Sequence, residues 1–138
     1  MGRGRIVLAG LVAGLAMNVI DALTNGLVLG AQWAAETHAL NPGLMAKVTT
    51  SSTAGWIVVD FLLGLLLVWL YAAIRPRFGP GPMTAFLAAG MLWVATHLLF
   101  ASYGFMGLYS WSLVLSSSFG GLVGMLAGGY VGGYLYRE

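Results

Sequence analysis

Asn18, Asp21 and Asn25 stand in the stretch MNVIDALTN (17–25), inside an otherwise apolar run. A second carboxylate, Asp60, and an imidazole, His97, interrupt two further apolar runs. Ser116, Ser117 and Ser118 interrupt a fourth. Carboxylates, an imidazole and amides brought together can bind a cation, relay protons or hold a metal. The same groups can also simply satisfy one another as a buried hydrogen-bond cluster. A charged aspartate at the centre of a membrane helix costs roughly 2.5–3.5 kcal/mol on insertion scales. Asp21 therefore implies protonation or nearby donors.

What must position these groups is a set of membrane helices. The chain has 138 residues, of which 59% are hydrophobic and 7% charged, with a mean hydropathy of +0.89. Soluble domains carry about 25% charged residues. Four apolar stretches approach the roughly 20 residues that a bilayer requires. They run over about 6–29, 55–74, 83–103 and 110–136, called spans 1 to 4. Continuous runs of that length exclude barrel strands, so the expected fold is all-α, a single four-transmembrane-helix bundle over 1–138. Span 1 is longer than a signal-peptide core and contains Asp21, so it is expected to be a retained helix.

Charge distribution orients the bundle. Arg3 and Arg5 precede span 1, Arg75 and Arg77 follow span 2, and Arg137 follows span 4. The positive-inside rule then puts both termini and the RPRFGPGP link in the cytoplasm. The long outer loop, about 30–54, carries Glu36, His38 and Lys47. Span 1 is expected to continue outward through AQWAAETHAL until NPG (41–43) stops it. Ser51, Ser52 and Thr53 offer caps for span 2. Trp33, Trp56, Tyr103, Tyr109 and Trp111 form an expected outer aromatic belt, and Trp69, Tyr71, Tyr134 and Tyr136 an inner one. Arg75–Pro82, with three prolines and two glycines, is expected to be a tight, rigid turn.

At about 100° per residue, Gly10, Gly14, Asn18, Asp21 and Asn25 share a stripe about 80° wide on span 1. Gln32 and Glu36 extend it if the helix continues. Asp21, Asp60, His97 and Ser116–Ser118 fall at similar depths in the outer half of the membrane. Asn18, Asp21, Asn25, Asp60, His97, Ser116 and Ser117 are therefore the candidate ligand- or proton-binding residues. His38 reads as a surface histidine. Phe86, Gly90, Trp93, His97 and Ala101 are expected to share a core face of span 3.

Span 4 carries small residues every fourth position: Ser112, Ser116, Gly120, Gly124, Gly128 and Gly132. Such a glycine-zipper ladder permits close helix approach. Its partner is either span 1, through Gly10 and Gly14, or another chain, as a homodimer or a membrane-complex subunit.

Several chemistries have no support. The chain has no cysteine, which excludes disulfides and thiolate metal sites. One histidine at membrane depth does not make a bis-histidine haem site. No metal site or cofactor is expected, no nucleic-acid partner, and no catalytic motif is present.

The stretches MNVIDALTNGLVLGAQWAA and VWLYAAIRPRFGPGPMTA resemble an uncharacterised family of small bacterial four-helix integral membrane proteins. Its members pair an acidic residue in the first span with an RPRFGPGP inner turn. That resemblance implies a bacterial inner-membrane location and brings no activity. The chain is more loosely similar to small multidrug-resistance transporters, which have four spans, an acidic residue in the first and a glycine-lined fourth. That similarity implies proton-coupled transport with Asp21 as the working carboxylate. The expected function is a non-enzymatic membrane protein whose outer polar layer specifies packing and binds a small ligand or ion. The alternatives are a transporter of that type and an accessory subunit packing through span 4.

Overall fold

The computed structural model describes residues 2–136. Arg137, counted above among the inner charges, lies outside the described residues. The described chain is helical, with no strand among those residues. Four helical segments are long and apolar enough to cross a membrane: Arg3–Val28, Thr50–Phe78, Pro82–Phe105 and Trp111–Leu135.

Span 1 is built in two pieces. An α-helix, α1 (Arg3–Asp21), passes directly into a π-helix over Ala22–Val28. After Leu29 a separate helix, α2 (Gly30–Leu40), carries the outer loop. The expected continuous outward helix is therefore interrupted. The wider π turns change the rotation per residue, so a stripe projected at α-helical pitch loses its phase beyond Asp21. NPG does end α2, but it also opens a 3-10 turn over Pro42–Lys47, where Asn41 Oδ1 accepts from Gly43 N–H at 2.9 Å.

Span 2 is α3 (Thr50–Phe78). Its cap is Thr49 rather than the expected Ser51, Ser52 or Thr53. Ser52 instead closes a capping box by accepting from Thr49 N–H at 2.9 Å. At the far end, Pro76 sits inside the helix, so RPRF belongs to α3 and not to a turn. Proline's fixed φ suits a helix, and its missing N–H removes only one bond near the end. The real turn is Gly79–Gly81. Gly79 (φ 81°) and Gly81 (φ 133°) occupy a region that side chains disfavour. Thr84 Oγ1 donates to Gly79 O at 2.8 Å, and Tyr71 Oη accepts from Gly81 N–H at 3.2 Å. Helices α4 (Pro82–Phe105) and α5 (Trp111–Leu135) complete the bundle.

Helix α1 packs on α3 and α5, and α5 packs on α1 and α4. The α1–α3 contact is backbone against backbone. A Cβ on Gly64 would stand 2.5 Å from Gly10 O and 2.6 Å from Gly14 Cα. Gly10 and Gly14 thus serve α3 and not the span 4 ladder, for which they were one of two expected partners.

The ladder on α5 is covered from within the chain. Gly120 meets Thr24, Gly124 meets Ile20, Gly128 meets Met17 and Ala13, and Gly132 meets Val68 and Ala13. Ser112 and Ser116 leave this face and are exposed, whereas Leu113 and Ser117 are buried on it. A strict four-residue repeat drifts by about 40° per step, so its outer members rotate away. The core face of α4 is also rotated from the expected one. Ala85, Ala88, Ala89 and Leu92 form its core face, while Phe86 of the expected face is 37% exposed. Of the expected inner belt, Tyr71 and Tyr136 are buried in the core and pack edge to face.

Candidate functional site

The α1–α3 glycine crossing positions the polar layer. The two helices run antiparallel, so one turn outward of Gly14 lies Asn18, and one turn outward of Gly64 lies Asp60. Because the backbones touch at the glycines, these side chains bridge the helices. Asn18 Nδ2 donates to Gly14 O at 3.1 Å in its own helix and to Ile57 O of α3 at 3.3 Å.

Asp60 is 9% exposed, and its Oδ2 is buried with no hydrogen-bond partner. The charged group within its electrostatic reach is the carboxyl of Asp21. Both were expected in one layer, and both face the bundle interior.

Asn25 is the organising residue of the other side. Its Nδ2 donates to Asp21 Oδ1. Its Oδ1 accepts from Trp33 Nε1 at 3.0 Å and from Ser117 Oγ at 2.8 Å. One amide thereby ties the π segment to α1, α2 and α5. Ser117 belongs to this network. Ser116 points away from it, for the rotational reason given above.

His97 approaches from α4. It lies within electrostatic reach of Asp21, though among the described residues no hydrogen bond joins it to either carboxyl. Its Nδ1 sits 3.1 Å from Trp93 O and 3.0 Å from Thr96 Oγ1, and its ring stacks on Trp93 at 5.4 Å. Its Nε2 occupies the notch at Gly121, where a Cβ would stand 2.5 Å away. If Nδ1–H donates to the Trp93 carbonyl, Nε2 is the acceptor directed at α5.

Two residues of this site carry no signal that the polar pattern reveals. Trp33 reads as a belt residue, yet it caps the network. Gly64 reads as one glycine among twenty-one, yet it sets the distance between the carboxyls. A small residue one turn from a buried aspartate is the clue that could have singled it out.

Outside the membrane layer, Gln32 and Glu36 form their own cluster. Glu36 accepts from Ser110 Oγ at 2.6 Å, Ser110 N–H at 2.8 Å and Gln32 Nε2 at 2.9 Å. These bonds pin α2 to the start of α5. The Ser110 side chain, then its backbone N–H, hold the Glu36 carboxyl below its ordinary value of 4.5, and Gln32 adds to this. Slight desolvation opposes them. Thr37 and Tyr109 hydroxyls, 3.1 Å apart, reinforce the contact.

Two surface clefts complete the picture. One, of about 450 Å³, lies beside Glu36 and Trp111. The other, of about 260 Å³, lies at the opposite end beside Arg75. Neither is lined by Asp21, Asp60 or His97. No group of three or more metal-ligating side chains with metal-site geometry occurs among the described residues.

No protein-family model, curated protein or solved structure matches this chain.

Proposed function

We propose that this is a small bacterial inner-membrane protein that binds a proton or a small monovalent cation between Asp21 and Asp60. The observation that carries this reading is the approach of the two carboxyls, with Asp60 Oδ2 buried and lacking a donor. Two bare carboxylates repel strongly in an apolar interior. A proton turns that repulsion into a hydrogen bond, and a small cation neutralises it. The protein is then a binding or coupling component and not an enzyme.

The topology proposed with it has both termini in the cytoplasm. Arg3, Arg5, Arg75 and Arg77 gather at one end of the antiparallel helices, as the positive-inside rule requires of the cytoplasmic end. The resemblance at MNVIDALTN and RPRFGPGP supports the bacterial assignment. The ladder glycines of α5 are already covered by α1, the π segment and α3, so a second copy or a partner subunit would meet another surface.

The test is infrared spectroscopy of the reconstituted protein. The protonated-carboxyl band should shift with pH or with added sodium in the wild type. It should lose that response in both Asp21→Asn and Asp60→Asn. A response that survives either substitution would overturn the shared site.

A second reading, proton-coupled transport of the small multidrug-resistance type, is favoured by the π segment that begins directly after Asp21. Such turns recur at functional sites and hinges. It requires Asp21→Asn to abolish proton-linked uptake into proteoliposomes while the helical fold persists. Uptake that persists in the variant rejects it.

A further inference from the structure

The end of the bundle opposite the carboxyl pair holds a feature that the proposed function does not use. The inner ends of α3, α4 and α5 enclose the cleft of about 260 Å³. We propose that this cleft binds the phosphodiester headgroup of an anionic lipid, with Arg75 as the cation that recognises it.

Arg75 stands one turn before the end of α3 and is half-buried. Its guanidinium lies 5.8 Å above the centre of the Tyr136 ring. Tyr136 is only 1% exposed and packs edge-on against Tyr71 at 6.2 Å. The cation therefore rests on a fixed aromatic platform and is not a freely waving surface charge. A guanidinium presents a planar fork of donors that matches phosphate oxygens. Basic pockets between membrane helices at headgroup level suit anionic lipids.

The walls favour a lipid over a soluble phosphate. The cleft opens beside Tyr130 and Tyr134, which are 53% and 62% exposed. Phe86 stacks on Tyr130 at 6.3 Å and widens this aromatic surface at the same depth. A headgroup at Arg75 would thus have an acyl chain lying along Tyr130 and Phe86. Tyrosines at this level present a polar tip and an apolar ring, as the interface requires. Inorganic phosphate would use only the Arg75 end.

The experiment is native mass spectrometry of the full chain in neutral detergent, titrated with phosphatidylglycerol or phosphatidylcholine. The wild type should hold one phosphatidylglycerol at least about tenfold more tightly than phosphatidylcholine. Arg75→Gln should remove that preference, and Tyr130→Ala, an exposed position safe for folding, should weaken retention. Arg77→Gln, on the exposed side of the same turn, should leave it intact. Equal binding of both lipids overturns the site. So does a loss in Arg77→Gln as large as in Arg75→Gln, which would mean diffuse surface charge. Displacement of the lipid by inorganic phosphate at matched concentration would make it a soluble-anion site instead. This inference does not rest on the carboxyl pair, and Asp60→Asn should leave lipid retention unchanged.

Discussion

Asp60, one helical turn outward of Gly64, faces Asp21, about two turns outward of Gly14, across the contact of α1 and α3. The distance between two acidic groups is thus set by the absence of two side chains elsewhere. Enlarging Gly64 should spread the helices and part the carboxyls together. Gly64→Ala is expected to destabilise the protein by about 1–3 kcal/mol through overpacking. Thermal unfolding in bicelles measures this, with Gly55→Ala as control, since nothing lies within 4 Å of a Cβ there. Equal stability of the two variants would show that the crossing tolerates separation.

Asn25 should matter more to stability than either serine near it. It joins Asp21, Trp33 and Ser117 through one side chain. Asn25→Leu leaves those partners without it and should cost about 2–4 kcal/mol. Ser117→Ala should cost about 1 kcal/mol, and Ser116→Ala less than about 0.5 kcal/mol. The ranking can be read from unfolding midpoints. A larger effect at Ser116 than at Ser117 would contradict the rotation of α5 described above.

Gly120 lies against Thr24 of the π segment, with a Cβ there placed 2.8 Å from Thr24 Oγ1. Gly120→Ala should therefore destabilise by about 1–3 kcal/mol. Thr24→Ala made in the same chain should restore part of that loss. A double-mutant cycle tests the contact, and strict additivity would deny it.

The outer clasp should depend on acidity. The folded Glu36 carboxyl titrates below the ordinary 4.5 because Ser110 donates to its charged form. Its contribution is thus complete above the unfolded value and fades as pH falls through the lower folded one. Hydrogen exchange in α2 should rise over that acidic window. Glu36→Gln should flatten the pH dependence, and exchange in α2 that ignores pH in the wild type would refute the clasp.

How much of this could be read from the sequence follows from periodicity. The four spans were legible because apolar runs of that length have few alternatives. Asp21 and Asp60 were legible as inward-facing because a carboxylate has nowhere else to go in lipid. Ser116 was misplaced because a four-residue repeat tracks a helix face for only a few turns. The role of Trp33 was hidden because the π segment resets the phase between Asp21 and α2. The partner of Gly10 and Gly14 was undecided because small residues mark a close approach without naming who approaches.

The π segment also fixes how the outer loop is keyed to the bundle. A π turn in place of an α turn amounts to one inserted residue. Were the same seven residues to wind as α-helix, the segment would turn further by about one residue's worth and swing α2 by about 100°. The transmembrane packing of α1 below Asp21 would be untouched. Trp33 and Glu36 would then face away from Asn25 and Ser110. The orientation of the outer half of this protein is therefore set by how one short stretch winds.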